Sequence, residues 1–188
     1  MGATSVGRLG GPAARPPLSG RMTEDDAIRA LGGDDEAAAA MAAAALWEMW
    51  HASGVPEIDR LLQRGVDAMA RGDLLAAEAL FTDIIRRAPD YAEGWNKRAT
   101  ARYLSGNHAA AIADCEETLT RKPHHFGALS GQGLCHMALD QHKEAADLFR
   151  RTLAVYPHLD AARRNLAAAL GEVVKTNGHV THQHDTEP

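Results

Sequence analysis

Histidine is the residue type in this chain that most invites a chemical role, because ten histidines accompany 25 acidic side chains. His108 and His142 lie near expected turns, and His124–His125 follows a proline, so these imidazoles belong at exposed corners of a helical chain. His136 lies at a position expected to pack against a neighbouring helix. The sequence contains no HExxH, paired CxxC, nucleophile elbow or glycine-rich phosphate loop. It therefore indicates a protein that is not an enzyme and that uses neither a metal ion nor a cofactor.

Two cysteines, Cys115 and Cys135, are the remaining candidates for metal or redox chemistry. Both fall where a small side chain packs between helices, so we interpret them as free, buried thiols of a reducing compartment, with a disulfide or a metal pair as the alternative. Three histidines near the C-terminus, His179, His182 and His184, are of a type that could hold a metal loosely. A polar tail without a cysteine partner is more typical of a disordered segment.

The composition limits the function classes. Hydrophobic residues make up 45% of the chain but aromatic ones only 5%, since alanine supplies much of the apolar content, and this is typical of closely packed helices. The net charge of −5 and the isoelectric point of about 6.0 argue against a nucleic-acid partner, which would require a basic face. No stretch reaches the ~18 apolar residues that a membrane-spanning helix needs, so no membrane insertion is expected.

A pattern with a period of 34 residues positions these side chains, in the successive segments 58–91, 92–125 and 126–159. Small residues recur at repeat position 8, which holds Gly65, Ala99 and Gly133, and at position 20, which holds Ala77, Ala111 and Ala145. Proline recurs at position 32, as Pro89, Pro123 and Pro157. Small side chains let two antiparallel helices approach closely, and proline ends the second helix. Position 15 suits a turn with an unusual backbone angle, and it holds Gly72, Gly106 and Asp140. The period predicts three stacked helix–turn–helix units, since one hairpin cannot bury its apolar face alone.

This period and these positions resemble the tetratricopeptide repeat (TPR) family. The segments YAEGWNKRAT and HFGALSGQG are also similar to a group of short, uncharacterised TPR proteins of bacteria and plants. The resemblance implies an all-α fold, a right-handed α-solenoid of helix–turn–helix TPR repeats that ends in a C-terminal capping helix. The copies depart from the family at positions 7 and 11, where leucine and an aromatic residue are usual; this chain has Arg64, Arg98 and Gln132, then Ala68, Arg102 and His136.

The segments that flank the repeats are assigned from composition and helix signals. Residues 1–22 contain three arginines and no acid, which fits a transit peptide for a mitochondrion or chloroplast. The alternatives are that the protein is cytoplasmic and that this segment is disordered, or that the protein starts at Met22. Residues 23–57 are expected to form an N-terminal helical hairpin, opened by a capping box at Thr23. Residues 160–176 are expected to form the capping helix, and residues 177–188 a disordered tail.

The N-terminal hairpin is interpreted as a degenerate repeat that caps the stack. The repeat frame, extended backwards, places Trp47 and Trp50 on the packed side of the second helix, so both rings are expected in the core. An aromatic pair that binds a cation is the alternative.

In the family that this chain resembles, the first helix of every repeat lines a concave groove. The candidate contacts that the resemblance places in this groove are of mixed character: Leu62, Val66, Met69, Asn96, Lys97, Thr100, Tyr103, Ser130, Leu134 and Met137. The segments NKRATARY and IADCEETL also resemble co-chaperone repeats that clamp the acidic C-terminus of heat-shock chaperones. That clamp needs lysine, asparagine and arginine donors at five positions, which hold Leu62, Val66, Lys97, Gly127 and Gly131 here, so no carboxylate clamp is expected.

These expectations combine into a non-catalytic adaptor, monomeric when isolated, that binds a peptide or helix of another protein in its concave groove. The alternative is a structural subunit or assembly factor of a larger organellar complex. A stoichiometric place in a large particle would distinguish the second hypothesis from the first.

Overall fold

Nine α-helices and no β-strand make up residues 22–181, the part of the chain whose backbone the structure, a computed structural model, describes; side chains are described for residues 22–174. The helices are α1 (Glu24–Leu31), α2 (Glu36–His51), α3 (Pro56–Ala70), α4 (Leu74–Arg87), α5 (Ala92–Leu104), α6 (His108–Arg121), α7 (Phe126–Ala138), α8 (His142–Val155) and α9 (Asp160–Thr181). The prediction of an all-α fold is confirmed. Residues 1–21 and 182–188, with the expected targeting segment and most of the expected tail, lie outside the described residues.

Each 34-residue segment forms one helical hairpin, α3 with α4, α5 with α6 and α7 with α8. The turns inside the hairpins need a left-handed backbone: Gly72 and Gly106 have φ angles of 79° and 81°, and Asp140 has a φ angle of 57°. Glycine adopts this conformation without steric cost, and aspartate tolerates it. The turn predicted at repeat position 15 is therefore confirmed in all three copies.

A glycine–phenylalanine pair sets the close approach of the two helices in the first and third repeats. A Cβ atom added to Gly65 would lie 2.4 Å from Phe81 Cε1, and one added to Gly133 would lie 2.7 Å from Phe149 Cε1. Both rings are fully buried. Position 8 of a repeat is thus restricted to glycine wherever position 24 holds phenylalanine.

A buried ion cluster explains why the second repeat departs from the family at positions 7 and 11. The Asp114 carboxylate on α6 accepts hydrogen bonds from Arg98 at 2.7 and 2.9 Å and from Arg102 at 2.9 Å. Arg102 also pairs with Glu78 of α4 at 2.7 Å. Because Asp114 is 2% exposed, a leucine in place of Arg98 would leave a buried charge with one partner fewer. The two arginines and Asp114 form one unit that joins α4, α5 and α6.

The hairpin of α1 and α2 lies across the N-terminal ends of α5, α7 and α9. It begins with the predicted capping box, in which Thr23 and Asp26 exchange hydrogen bonds. Its core includes Phe126 and contacts Val155, Tyr156 and Leu159, which all belong to the third repeat and to the junction before α9. The position of this hairpin therefore differs from the position ahead of α3 that is expected for a degenerate first repeat. Gly54, with a φ angle of 78°, lies in the short connection that turns the chain from this hairpin into α3.

Helix α9 closes the other end of the stack by packing on α8, with Ala162 and Ala169 fully buried. It extends to Thr181, five residues beyond the expected end at Thr176. A glycine inside a helix costs only about 1 kcal/mol, so the Asn177–Gly178 step is not a compulsory end. No helix within residues 22–181 is long and apolar enough to cross a membrane.

Candidate functional site

A pocket of about 260 Å³ opens on the concave face between α5 and α7. Its lining comprises small or apolar side chains with three polar ones, namely Asn96, Ala99, Thr100, Tyr103, Leu104, Cys115, Gly127, Gly131, Leu134 and Cys135. Leu104 is 55% exposed, so the mouth of the pocket has an apolar edge. This is the part of the groove with room for a ligand side chain.

The substitution of a thiol for a ring explains the pocket. Cys115 occupies position 24 of the second repeat, where the first and third repeats have phenylalanine. The smaller side chain leaves space for the Cβ atom of Ala99 and for a cavity that continues along α7. Gly131 widens that cavity, since a Cβ added there would meet nothing closer than Cys115 Sγ at 3.8 Å.

The two thiols are buried and free, and both line the pocket. Burial raises the pKa of Cys115 far above its ordinary value, and it raises the pKa of Cys135 to about 11. The protonated thiol behaves as a small apolar group and is a poor nucleophile. The interpretation of both cysteines as free core thiols is confirmed. Within the described residues, no group of three or more His, Cys, Asp and Glu side chains is placed to hold a metal ion.

Four of the predicted groove residues, Asn96, Thr100, Tyr103 and Leu134, come together in this pocket. The Thr100 hydroxyl donates to the Asn96 carbonyl at 3.0 Å, so this threonine presents its methyl group and a satisfied hydroxyl. The Tyr103 ring lies 5.4 Å from the ring of His108.

The other predicted residues lie elsewhere. Leu62 is buried in the core of the first repeat, and Val66 and Met69 pack against that core. Met137 packs against the cluster shared by α8 and α9, as Leu134 also does from inside the pocket. Ser130 is half-buried on α7, outside the pocket lining.

A buried carboxylate, Glu93, lies beside the pocket at the N-terminal end of α5 and is 1% exposed. Its Oε2 atom accepts hydrogen bonds from His125 Nε2 and Asn96 Nδ2, each at 3.1 Å. Its Oε1 atom forms ion pairs, 3.0 Å from Lys97 Nζ and 3.4 Å from His51 Nε2. We call this set of five residues the Glu93 cluster. Glu93 and Lys97 pair with each other within the chain, so Lys97 is not a free cation of the groove.

Two histidines contact Glu93 in different ways. The Nδ1 atom of His125 accepts the hydrogen bond of the Ala128 N–H at 3.0 Å and so caps α7, which leaves Nε2 as the donor to Glu93 in the neutral ring. The Nδ1 atom of His51 lies 2.7 Å from the Trp47 carbonyl, which can only accept. Its Nε2 atom therefore attracts Glu93 only when the ring is an imidazolium. The expectation that His125 lies at an exposed corner is wrong, because the residue is fully buried.

The Glu93 cluster holds the carboxylate in its charged form. Burial alone would raise the pKa of Glu93, but the hydrogen bond from His125 and the charge of Lys97 outweigh it, so the pKa lies below its ordinary value. The pKa of the neighbouring Tyr91 hydroxyl is raised, by burial first and by the Glu93 charge second. These directions fit a buried acid whose partners compensate the loss of water.

Trp47 and Trp50 of α2 cover the Glu93 cluster. The Trp50 ring stacks on His125 with a centroid distance of 4.2 Å, and the Trp47 ring meets His125 edge to face at 5.4 Å. Lys97 Nζ lies 5.6 Å from the Trp47 ring centroid. Trp50 is 5% exposed, so its predicted place in the core is confirmed, whereas Trp47 is half-buried at the boundary with the groove.

Sequence reasoning missed the Glu93 cluster as a unit. Glu93 and Lys97 are four residues apart and share one helix face, which a helical reading can find. His51 and His125 lie 42 and 32 residues from Glu93 in the chain, so only the fold brings them together. The Ala99–Cys115 pair did carry a signal, since the same two positions hold glycine and phenylalanine in the other repeats.

Comparison with known proteins identifies the repeat unit. A model of the tetratricopeptide repeat family matches residues 62–126. A TPR repeat-containing protein of Rhizobium etli is 34% identical over 108 residues, which is 57% of this chain and 53% of that protein. The heat-shock protein cognate co-chaperone sgt12 of Aspergillus fumigatus is 28% identical over 65% of this chain and 36% of its own length. The chain thus spans about half or less of these curated relatives.

Several solved structures that share this architecture are TPR domains. The TPR domain of Sgt2 from Aspergillus fumigatus has a TM-score of 0.63 and 26% identity, covering 71% of this chain and 87% of the domain. The first TPR domain of Spaghetti (RPAP3), solved with the HSP90 peptide SRMEEVD, has a TM-score of 0.61 and 21% identity over 62% of this chain and 93% of the domain. The family model, the curated relative and the solved structures agree in placing tetratricopeptide repeats in this chain.

Proposed function

We propose that this chain is a non-catalytic protein-binding module that receives a segment of a partner protein at the concave pocket between α5 and α7. The observation that carries the proposal is the pocket itself, of about 260 Å³ with a largely apolar lining. An apolar cavity of about 150 Å³ already holds a benzene ring. The pocket is therefore large enough for one aromatic or branched aliphatic side chain of an extended or helical peptide.

The surroundings favour an uncharged side chain. Lys97 is paired with Glu93, and Arg98 and Arg102 are paired with Asp114, so these cations of α5 are already compensated. A terminal carboxylate would find no set of converging donors in the pocket. The proposed module consequently binds without a chaperone-type carboxylate clamp. Of the five positions that such a clamp would use, Leu62 is buried in the core and Gly127 lies under Trp47.

Related folds support the general role. A TPR domain of Spaghetti (RPAP3) was solved with an HSP90 peptide, and the TPR2B domain of yeast Sti1 was solved in a complex with an Hsp70 peptide. Both are below 25% identity, so they support the fold and its capacity to bind peptides rather than the choice of ligand here.

The test compares two glycine-to-leucine substitutions, one of which should abolish partner binding while the other should leave it unchanged. Gly131→Leu extends a side chain into the pocket, whereas Gly171→Leu makes the same change on the exposed face of α9, where an added Cβ meets nothing within 4 Å. Tagged versions of both and of the unchanged chain are purified from native cells, sized by chromatography and identified by mass spectrometry. Circular dichroism confirms that all three are folded.

A partner that is retained by Gly171→Leu and lost from Gly131→Leu supports the groove. A stoichiometric partner that survives Gly131→Leu inside a large particle contradicts the groove proposal and supports the alternative of a structural subunit. The same mass spectra show whether residues 1–22 persist in the mature chain, which tests the proposed targeting to a mitochondrion or chloroplast.

A further inference from the structure

We propose that the α1–α2 hairpin is a resident ligand of the groove and that the surface beneath it is a second binding surface, which takes an amphipathic helix of a partner in place of α2. This surface comprises the N-terminal ends of α5 and α7 with the members of the Glu93 cluster that lie outside the hairpin, Glu93, Asn96, Lys97 and His125, and it adjoins the pocket described above. The inference rests on the proposed use of the groove for binding. It concerns a different part of that groove and a different ligand type.

The hairpin is held along a row of repeat junctions. At the C-terminal end of α2, Tyr91 donates its hydroxyl hydrogen to the His51 carbonyl at 2.7 Å. At the turn between α1 and α2, His158 Nε2 lies 2.9 Å from the Gly33 carbonyl oxygen. Between them, Lys122 pairs with Glu24 at 2.5 Å. The helix α2 therefore spans from the junction before α9 to the junction before α5, crossing the start of α7.

An aromatic ring of the hairpin fills a space that this chain keeps open with glycine. A Cβ added to Gly127 would lie 2.6 Å from Trp47 Cη2 and 3.1 Å from Trp47 Cζ2. The Trp47 ring also meets Phe126 edge to face, with a centroid distance of 5.2 Å. The beginning of α7 is thus shaped to receive a large aromatic side chain from a helix that crosses it.

Charge complementarity specifies a second feature of the ligand. The Glu93 carboxylate is almost fully buried, and one of its oxygens faces His51 of the hairpin at 3.4 Å. His51 follows Trp47 by one helical turn. His51 is a partner of Glu93 in its imidazolium form, so a replacement helix without a cationic side chain at this place would leave the buried carboxylate with one partner fewer. We therefore infer a partner helix with an aromatic residue and, four residues later, histidine, lysine or arginine.

The hairpin is built as a separable unit. Its helices are capped within the hairpin, by Thr23 for α1 and by the side chain of Asp35 for α2. Among the described residues, no backbone–backbone hydrogen bond joins the hairpin to the repeats. Residues 52–55 connect the hairpin to α3, and Ser53 of this linker donates hydrogen bonds to the Asp59 carboxylate of α3, so the part of the chain that can turn lies before Ser53. Opening therefore breaks side-chain contacts and leaves the repeat backbone intact.

Native-state hydrogen exchange on the full chain tests separability without any partner. We expect α1 and α2 to exchange faster than α5–α8 in the unchanged chain. Trp47→Ala should accelerate exchange in the hairpin by about 30-fold, because it removes several ring contacts and a cation–π contact, and should leave α5–α8 within about twofold. Met41→Ala is the matched control on α2, since Met41 is 71% exposed, and it should change neither region. Equal exchange rates in the hairpin and the repeats of the unchanged chain overturn the proposal. Loss of protection in every helix of the Trp47→Ala chain overturns it as well.

Binding in trans tests the ligand role. The probe is a synthetic, labelled peptide of residues 23–53, measured by fluorescence anisotropy against the full chain carrying Trp47→Ala and Trp50→Ala. We expect this peptide to bind the doubly substituted chain at least tenfold more tightly than the unchanged chain, whose tethered hairpin acts at an effective concentration of about 1 mM. A peptide with Trp47→Ala should not bind. Equal or undetectable binding of the original peptide to both chains overturns the proposal, while the pocket test with Gly131→Leu is unaffected by that result.

Discussion

The second repeat should accept phenylalanine at position 115 only when position 99 loses its Cβ atom. In the first and third repeats the phenylalanine ring lies where a Cβ on the facing glycine would be 2.4 or 2.7 Å away. Cys115→Phe places a ring of that kind against the Cβ atom of Ala99 and fills the adjoining pocket. Ala99→Gly removes the obstructing atom.

The magnitudes follow from the two single changes. Overpacking a well-packed core costs about 1–3 kcal/mol, which is the expected loss of unfolding free energy for Cys115→Phe. Replacing alanine by glycine inside a helix costs about 0.5–1 kcal/mol, which is the expected minimum loss for Ala99→Gly. If the effects added, the double substitution would lose about 1.5–4 kcal/mol. We expect it instead to lose no more than about 1 kcal/mol, which corresponds to a favourable coupling of about 0.5–3 kcal/mol.

Urea unfolding of the four chains, followed by far-ultraviolet circular dichroism, measures this coupling. The unchanged m-value that two-state unfolding requires serves as the internal control. Additivity within about 0.5 kcal/mol would refute the explanation of the pocket as a thiol in the place of a ring.

Three further predictions concern the hairpin and the buried acids. Gly127→Ala should release the hairpin and raise its hydrogen exchange by at least tenfold, because the new Cβ lies 2.6 Å from a tryptophan ring, while Gly131→Ala on the same face of α7 should leave the exchange of the hairpin unchanged. The pKa of Glu93 in the folded chain lies below its ordinary value of 4.5, so the Glu93 charge stabilises the fold above pH 4.5. This stabilisation is lost as the pH falls through the folded pKa. The melting temperature of Glu93→Gln should therefore fall less between pH 6 and pH 3 than that of the unchanged chain. Asp114→Ala should lower the free energy of unfolding by about 3–5 kcal/mol in urea titrations, because it removes the carboxylate partner of Arg98 and leaves Arg102 with Glu78 alone. Asp147→Ala, at an exposed ion pair, should cost less than about 1 kcal/mol.

The repeats could be predicted from the sequence because their constraints are local. The turn at position 15 and the small residues at positions 8 and 20 recur at a fixed period, and each acts within one hairpin. The same reasoning extended the period to Trp47 and Trp50 and expected a repeat ahead of α3. That step failed because the extension used the spacing of two rings, while the position of α2 depends on Phe126 and Tyr91, far along the chain.

The site was predictable in part for the same reason. Asn96, Thr100 and Tyr103 share one face of α5 and reach the pocket as helical spacing requires. The groove contacts assigned to Leu62 and Met137 were harder to judge, because a groove position at the end of a stack is also a core position of its own hairpin. Burial of Asp114 and His125 needs partners from other helices, which no local pattern shows.

The most direct test of the binding pocket is site-specific photo-cross-linking in native cells. A photoreactive phenylalanine analogue is introduced at Thr100, inside the pocket, and separately at Leu75, which is 83% exposed on α4 and outside the pocket lining. We expect a discrete cross-linked partner from position 100 that disappears when Gly131→Leu fills the pocket, and no such product from position 75. A partner that cross-links from position 75 alone, or that cross-links from position 100 despite Gly131→Leu, would contradict it.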